Sequence, residues 1–217
     1  MSVPADPGHR LARLQAGDWW EYEVTGSATR GGHETALRGS VRVGVELCTA
    51  GGQLRHALVF TPQHRIAGVD GPAGVFPMPT GRFYFEQDPA TLDVSITGDN
   101  LGPAGSDRFA HAPQVFYPGS FGPDTAYDNV LDFAPLGRVA NTLRTVGIET
   151  VPTMLGAYAA WKAPISSSSE QFGQVVGCDY WRPGLGAPLR FEMTATGPDG
   201  SRLSTVAVLR ATSRALE

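Results

Sequence analysis

Residues 142–186 read TLRTVGIETVPTMLGAYAAWKAPISSSSEQFGQVVGCDYWRPGLG and form the most strongly patterned stretch of the chain. Three segments in it are rich in β-branched and aromatic residues: 142–151, 157–163 and 174–181. This composition predicts strands. Pro152 ends the first strand, where its missing N–H is tolerated, and Gly156 permits the tight turn that follows. After the third strand, Pro183 and Gly184 predict a type II turn with Gly184 at positive φ.

The remainder of the chain shows the same alternation of apolar and polar residues. Further strands are predicted at 17–24, 41–47, 54–60, 82–86, 92–97, 189–196 and 203–211. The pair Gly51-Gly52 predicts a hairpin between the second and third of these segments. Helical periodicity is nearly absent, and only 10–14 is predicted to form one helical turn. About ten strands joined by short turns predict a single antiparallel all-β domain over 1–217.

Two stretches are too rich in glycine and proline to predict regular structure. Residues 67–80 are predicted to form a loop, and residues 98–125, with four prolines, form the longest irregular segment. A loop of that length within a compact domain usually has a function or covers another surface. We therefore expect 98–125 to lie across the sheet. Residues 1–16 are predicted to be a separate N-terminal segment.

The composition excludes nucleic acid as a partner. The 217 residues carry a net charge of −4 with a pI of 5.7, whereas nucleic-acid binding requires a basic surface. The two cysteines, Cys48 and Cys178, lie far apart without a CxxC motif, so one disulfide and two free thiols both fit. No apolar run reaches the roughly 20 residues that a membrane-spanning helix needs.

Several groups of polar residues have the residue types of known chemistry without its spacing. His56 and His64 lack the nearby Cys, Asp or Glu that would complete a zinc site. Four oxygen-bearing residues crowd one segment: Asp124, Asp128, Asn129 and Asp132. Their spacing is not that of an EF-hand, and turns explain them. Glu21 and Glu23 share one strand face, and a solvent-exposed face explains this pair of carboxylates. The serines at 166–169 are not part of a Gly-x-Ser-x-Gly motif, which would mark a nucleophile. We predict no catalytic residue, no metal site and no cofactor.

Aromatic residues dominate the predicted strands. In the strands 17–24 and 174–181 adjacent positions are both aromatic, Trp19 with Trp20 and Tyr180 with Trp181, so both faces of these strands are expected to meet apolar groups. One face would belong to the core and the other to a ligand or partner surface, unless the 98–125 loop covers it. The residues predicted to line an apolar ligand site are Trp20, Tyr22, Trp161, Trp181 and Phe191.

The sequence ETVP at 149–152, followed by GAY at 156–158 and YWRPGLG at 180–186, resembles a pattern of uncharacterised bacterial β-rich envelope proteins. These families are similar to the periplasmic lipoprotein carriers. The resemblance implies a strongly curved antiparallel sheet, a half-barrel or open barrel, whose concave face holds lipid or another apolar ligand.

The function predicted first is therefore non-catalytic binding of an apolar or amphipathic small molecule in the concave face. The second hypothesis is a structural or interaction module that forms a homodimer, and the third is a hydrolase or isomerase on a barrel scaffold. Residues 1–10 lack a charged region followed by an apolar one, so the sequence as written predicts a cytoplasmic protein. If Met1 replaces a removed export signal, a cell-envelope or secreted location is expected instead.

Overall fold

Thirteen β-strands make up most of the described chain. The computed structural model describes residues 7–62, 81–100, 106–133, 137–169 and 173–216. The strands are β1 Trp19–Arg30, β2 His33–Ala50, β3 Gln53–Pro62, β4 Gly81–Gln87, β5 Val94–Asp99, β6 Arg108–Tyr117, β7 Ala126–Phe133, β8 Gly137–Arg144, β9 Gly147–Thr153, β10 Gly156–Ser169, β11 Gly173–Arg182, β12 Ala187–Thr196 and β13 Arg202–Thr212. The all-β prediction is confirmed, but about ten strands was too few. The loop predicted at 67–80 lies outside the described residues.

All thirteen strands belong to one antiparallel sheet. Its order is β6-β5-β4-β3-β2-β1-β13-β12-β11-β10-β8-β7, and β9 lies off this path, paired with β10. The first and last strands, β1 and β13, pair in the middle of the sheet. Its two edges, β6 and β7, are consecutive in the sequence. The sheet is not closed by a hydrogen-bonded ladder between these edges in the described part of the chain.

The strands β1 and β2 are longer than the predicted strands 17–24 and 41–47, and they form a hairpin. Both strands continue to a turn at Gly31-Gly32, where φ is 57° and 81°. Positive φ at both central residues is the type I′ conformation, whose twist matches that of the paired strands. The two glycines thus carry the sheet through residues 25–40, which the sequence analysis left unassigned.

The single strand predicted at 142–151 is two strands, β8 and β9. The break falls at Thr145 and Val146, whose N–H groups donate to Thr125 O (2.9 Å) and Lys162 O (2.9 Å). Gly147 follows with a φ of 147°. Both strands pair with β10, β8 near its C-terminal end and β9 near its N-terminal end. One long strand, β10, therefore supports two short ones.

The prediction of an irregular loop over 98–125 was wrong in its central part. Residues 108–117 form β6, which pairs with β5 on one side only. An edge strand tolerates proline because one row of its N–H groups needs no partner in the sheet. Pro113 lies where the ladder is interrupted, since the register with β5 shifts between Phe109 and Gln114. Residues 101–105 lie outside the described residues.

The described N-terminal segment, residues 7–18, contains no helix, so the helical turn predicted at 10–14 was wrong. Its backbone bonds to two loops: Leu11 N–H donates to Gly119 O (2.8 Å) and Ala12 N–H to Pro183 O (2.8 Å). Gln87 accepts the Leu14 N–H (2.9 Å) and donates to Ala12 O (3.1 Å). These long-range bonds replace those of a helix and leave Leu11 and Leu14 buried in the core.

The turn after β11 also differs from the predicted type II turn. Pro183–Leu185 form a 3₁₀-helix, and the residue with positive φ is Gly186 (78°), not Gly184. Gly186 closes the helix by donating its N–H to Pro183 O (2.9 Å). The positive φ is what favours glycine here, and a Cβ would in addition lie 2.9 Å from the end of the Leu14 side chain.

Candidate functional site

The curved sheet surrounds a cavity of about 270 Å³. Eleven strands contribute to its wall, β1 to β8 and β10 to β12, together with the N-terminal segment. Nine of its 27 lining residues are aromatic, and most of the others are aliphatic. Five have a polar, non-aromatic side chain: Asn129, Asn141, Thr142, Ser167 and Asp179. The cavity is therefore an apolar space with few polar groups.

Side-chain hydrogen bonds join the edges of the sheet at the seam, the boundary between β6 and β7. The Tyr127 hydroxyl and the Asn129 amide of β7 both donate to Val115 O of β6, at 2.5 and 2.6 Å. The side-chain amide of Asn141 in β8 donates to Asn129 Oδ1 (2.9 Å). The Ser167 hydroxyl in β10 donates to Asn141 Oδ1 (2.5 Å). This polar row brings two edges together that share no backbone ladder, and it closes one side of the cavity.

Hydrogen bonds hold the aromatic side chains of the wall in place. Trp20 donates its indole N–H to Leu185 O (3.2 Å), and the Tyr22 hydroxyl donates to Pro188 O (2.9 Å). Tyr22 packs edge-on against Phe191, with ring centroids 5.2 Å apart. Because buried Trp and Tyr side chains need a partner for their polar end, these bonds fix the rings without filling the cavity.

Asp179 is the one acidic residue among the described residues that line the cavity. It lies on β11 between Ala163 of β10 and Phe191 of β12. Burial raises the pKa of its carboxyl group from the usual 3.8 to about 7. The Trp181 indole N–H lies close enough to offset part of this rise, although it makes no hydrogen bond of normal geometry. Asp179 is half-buried and not fully buried, because it lines the cavity.

Two tyrosines that line the same cavity, Tyr117 and Tyr22, interact electrostatically with this carboxyl group. Burial raises the pKa of Tyr117, and the negative charge of Asp179 raises it further. Burial is also the main reason why the pKa of Tyr22 is raised, with Tyr117 and Asp179 adding to it. Both hydroxyls are therefore neutral at physiological pH. The Tyr117 ring packs against Trp181 with centroids 4.8 Å apart.

Four of the five residues predicted for the ligand site line the cavity. They are Trp20, Tyr22, Trp181 and Phe191. The fifth, Trp161, is buried outside the cavity lining, where its indole N–H donates to Gly8 O (2.8 Å) and its ring packs against His9. Trp161 therefore anchors the start of the N-terminal segment.

Cationic side chains cover the aromatic residues on the outer face of the sheet. The Arg42 guanidinium lies 4.0 Å from the centroid of the Trp19 ring. Lys162 and Arg190 lie 5.9 and 6.0 Å from the Tyr180 ring. The aromatic residues on the outer face thus meet arginine and lysine side chains.

The other polar groups noted in the sequence do not converge. Within the described residues, no three His, Cys, Asp or Glu side chains lie close enough to hold a metal ion. His64 lies outside the described residues. Glu21 pairs with Arg210 and Glu23 with Arg38. Asp128 pairs with Arg144, whereas its neighbour Asn129 faces the cavity.

Both cysteines are free thiols. Of the two alternatives for Cys48 and Cys178, one disulfide or two free thiols, the structure shows the free thiols.

The sequence analysis missed Asp179 and Tyr117. Asp179 could have been found, because it lies two residues before Trp181 on one strand and must share its face. Tyr117 could not be found in this way, because β6 was predicted to be a loop.

No helix in the described part of the chain is long and apolar enough to cross a membrane.

No family model matches the chain, and no curated protein matches it. Three solved structures are similar to the chain at a low level. A candidate exported protein with a YmcC-like fold from Bacteroides fragilis is 12% identical, with a TM-score of 0.44 over 95% of this chain and 100% of that one. A candidate lipoprotein from Parabacteroides distasonis is 11% identical, with a TM-score of 0.42 over 95% and 99%. A DUF1329 family protein from Desulfovibrio piger is 13% identical, with a TM-score of 0.26 over 94% and 88%. Similarity at this level identifies neither a family nor a function.

Proposed function

We propose that the protein binds a small apolar or amphipathic molecule in the cavity and does so without catalysis. The observation that carries this proposal is the cavity itself, about 270 Å³ of space inside a largely aromatic and aliphatic wall. An apolar ligand gains roughly 25 cal/mol for each Å² of surface it removes from water. A wall of fixed aromatic rings provides that surface without reorganisation.

The energetics of an unfilled cavity support a binding role. Protein interiors are normally packed as densely as organic crystals. Unfilled volume next to a core destabilises a fold, because the side chains that line it lose packing contacts. Larger side chains at positions such as Val43 or Ala187 would fill it. The small valine and alanine side chains at these positions leave room for a ligand.

The cavity volume limits the size of the ligand. Drug-sized molecules occupy sites of roughly 300–1,000 Å³, and a cavity of about 150 Å³ accepts benzene. A space of about 270 Å³ lies between these values. We therefore propose a single-ring compound or one short alkyl chain with a polar head, in place of a whole diacyl lipid.

Native mass spectrometry of the protein purified from its own host tests this function. We expect a species heavier than the polypeptide by the mass of one small molecule, and the added mass should disappear on denaturation. Because the wall is apolar, the released molecule should partition into organic solvent. Only the bare polypeptide mass, in repeated preparations, would contradict the proposal.

A homodimer is the second candidate function, and one surface favours it. Four apolar residues around β9 are exposed: Val146, Ile148, Met154 and Leu155. Sedimentation tests this hypothesis. A wild-type dimer that Val146→Lys converts to a monomer would support it, and a wild-type monomer would contradict it.

The hydrolase or isomerase hypothesis has less support. Asp179 could act as a base, but the described lining offers it no histidine, cysteine or second carboxylate.

A further inference from the structure

We infer that the ligand is an amphipathic organic cation, a protonated amine with an apolar body, whose ammonium group pairs with the Asp179 carboxylate inside the cavity. This inference rests on the proposed function, because it requires that the cavity binds a small molecule. It adds the charge and the chemical class of the ligand. Three observations carry it: the isolation of the acid, the aromatic rings around it and the absence of competing charges.

Asp179 has no basic partner among the described residues of the cavity wall. The 27 lining residues include one carboxylate and no lysine, arginine or histidine. The nearest outward-facing basic residues on the flanking strands have other partners, since Lys162 pairs with Glu149 (2.8 Å) and Arg190 with Glu192 (2.7 Å). Buried carboxylates in proteins are almost always paired with a cation or a metal. A cation brought by the ligand would complete this pair.

The rings around Asp179 suit a cation as well. Tyr22, Tyr117 and Trp181 face the same space as the carboxyl group. The face of an aromatic ring attracts ammonium groups, most strongly where water is excluded, and sets of such rings recognise alkylammonium ligands elsewhere. Beyond these rings, the aliphatic part of the wall can hold the ligand's apolar body.

The titration of Asp179 fits this assignment. Tyr22 and Tyr117 are the titratable groups that face it, and both stay neutral, while Ala163 and Phe191 on the adjacent strands carry no charge. Burial therefore raises the pKa to about 7, with the Trp181 indole N–H offsetting part of the rise. An ammonium group would favour the ionised carboxylate and lower this pKa, so affinity for the amine should fall as the pH drops below 7. A carboxylate ligand would be repelled.

Three probes with the same alkyl chain test the inference: octylamine, octanol and octanoate. Their binding is measured by titration calorimetry at pH 8, where the amine is protonated and Asp179 is ionised. We expect octylamine to bind about tenfold or more tightly than octanol, as a charge-assisted hydrogen bond would provide, and octanoate to bind most weakly. At pH 5 the advantage of octylamine over octanol should largely disappear.

Variants locate the effect. Asp179→Asn should bring the affinities for octylamine and octanol close together, whereas Asp128→Asn, outside the cavity and paired with Arg144, should keep the wild-type preference. If octanol or octanoate binds the wild-type protein as tightly as octylamine, the inferred charge is wrong while the proposed function stands. If none of the three binds, the proposed function itself fails. The wild-type series decides the question even if Asp179→Asn does not fold.

Discussion

At the scale of single residues, Asp179 is the feature that packing alone does not explain. A carboxyl group on the inner face of β11 loses its solvation on folding, and no basic residue in the described wall compensates for it. Groups whose pKa is strongly perturbed by burial are often functional. An isosteric amide at this position would remove the electrostatic penalty, so the aspartate destabilises the fold unless a ligand offsets the penalty.

The first prediction concerns the pH dependence of stability. The Asp179 pKa is near 3.8 in the unfolded chain and about 7 in the folded one, so between these values the folded state holds a proton that the unfolded state has lost. Stability should therefore fall as the pH rises from about 4 to 7. The pKa difference corresponds to at most about 4 kcal/mol.

Asp179→Asn removes this penalty. In urea unfolding we expect the variant to be more stable than the wild type at pH 8, by roughly 1–4 kcal/mol, and nearly equal to it at pH 4. Asp128→Asn is the matched control, because its carboxylate lies on the outer face and is well exposed. Equal stability of Asp179→Asn and wild type at pH 8 would mean that the buried carboxyl is not penalised.

Strand alternation explains which residues could be predicted. Trp20 and Tyr22 were assigned to one face because they are two residues apart, and both line the cavity. The same rule applied to Trp181 would have included Asp179. Trp161 lies outside the cavity lining, and alternation could not predict this, because it gives the face of a strand but not the position along the strand at which a cavity lies. Its neighbours in space, Gly8 and His9, come from a segment whose path only the tertiary structure fixes.

At the scale of elements, the N-terminal segment depends on a close backbone approach at Gly119. This residue accepts the Leu11 N–H and donates its own N–H to the Asp93 carboxylate (2.6 Å). A Cβ on Gly119 would lie 2.0 Å from Thr91 O, which is backbone and has little freedom to move. The loop after β6 and the N-terminal segment are thus fixed by one residue without a side chain.

Gly119→Ala should destabilise the protein by roughly 1–3 kcal/mol, the usual range for overpacking, or by more if the backbone cannot shift. Gly184→Ala is the matched control, since a Cβ there meets nothing within 4 Å. Its stability should change by less than about 0.5 kcal/mol. Urea unfolding at one pH measures both variants, and equal effects would show that the close approach at Gly119 is not a constraint.

Elements at the edge of the sheet were the hardest to predict. Central strands such as β1 and β12 show clear alternation, because one face is core and the other meets solvent. The edge strand β6 contains proline and pairs on one side, which makes its sequence resemble a loop. The bonds across the seam join Asn129 and Tyr127 to a backbone carbonyl. No local pattern indicates such a contact.

At the scale of the whole molecule, the sheet curves until its two edge strands, β6 and β7, meet at the seam. The sequence predicted one antiparallel sheet and an apolar site on it, because turn residues and inward aromatic residues are local signals. It could not predict that thirteen strands would leave about 270 Å³ unfilled. Cavity volume is the difference between the space that the strands enclose and the summed volume of the side chains that fill it. No single segment of the sequence determines this difference.

The central claim, that the ligand binds inside the sheet, is tested most directly by octanol binding to two valine variants. Val43 lines the cavity, whereas Val59 on the neighbouring strand packs on the opposite face. Val43→Phe should fill part of the space and weaken octanol binding at least about tenfold, the effect of about 1.4 kcal/mol. Val59→Phe should bind like the wild type. If titration calorimetry shows that Val43→Phe retains wild-type affinity, the ligand does not occupy the cavity.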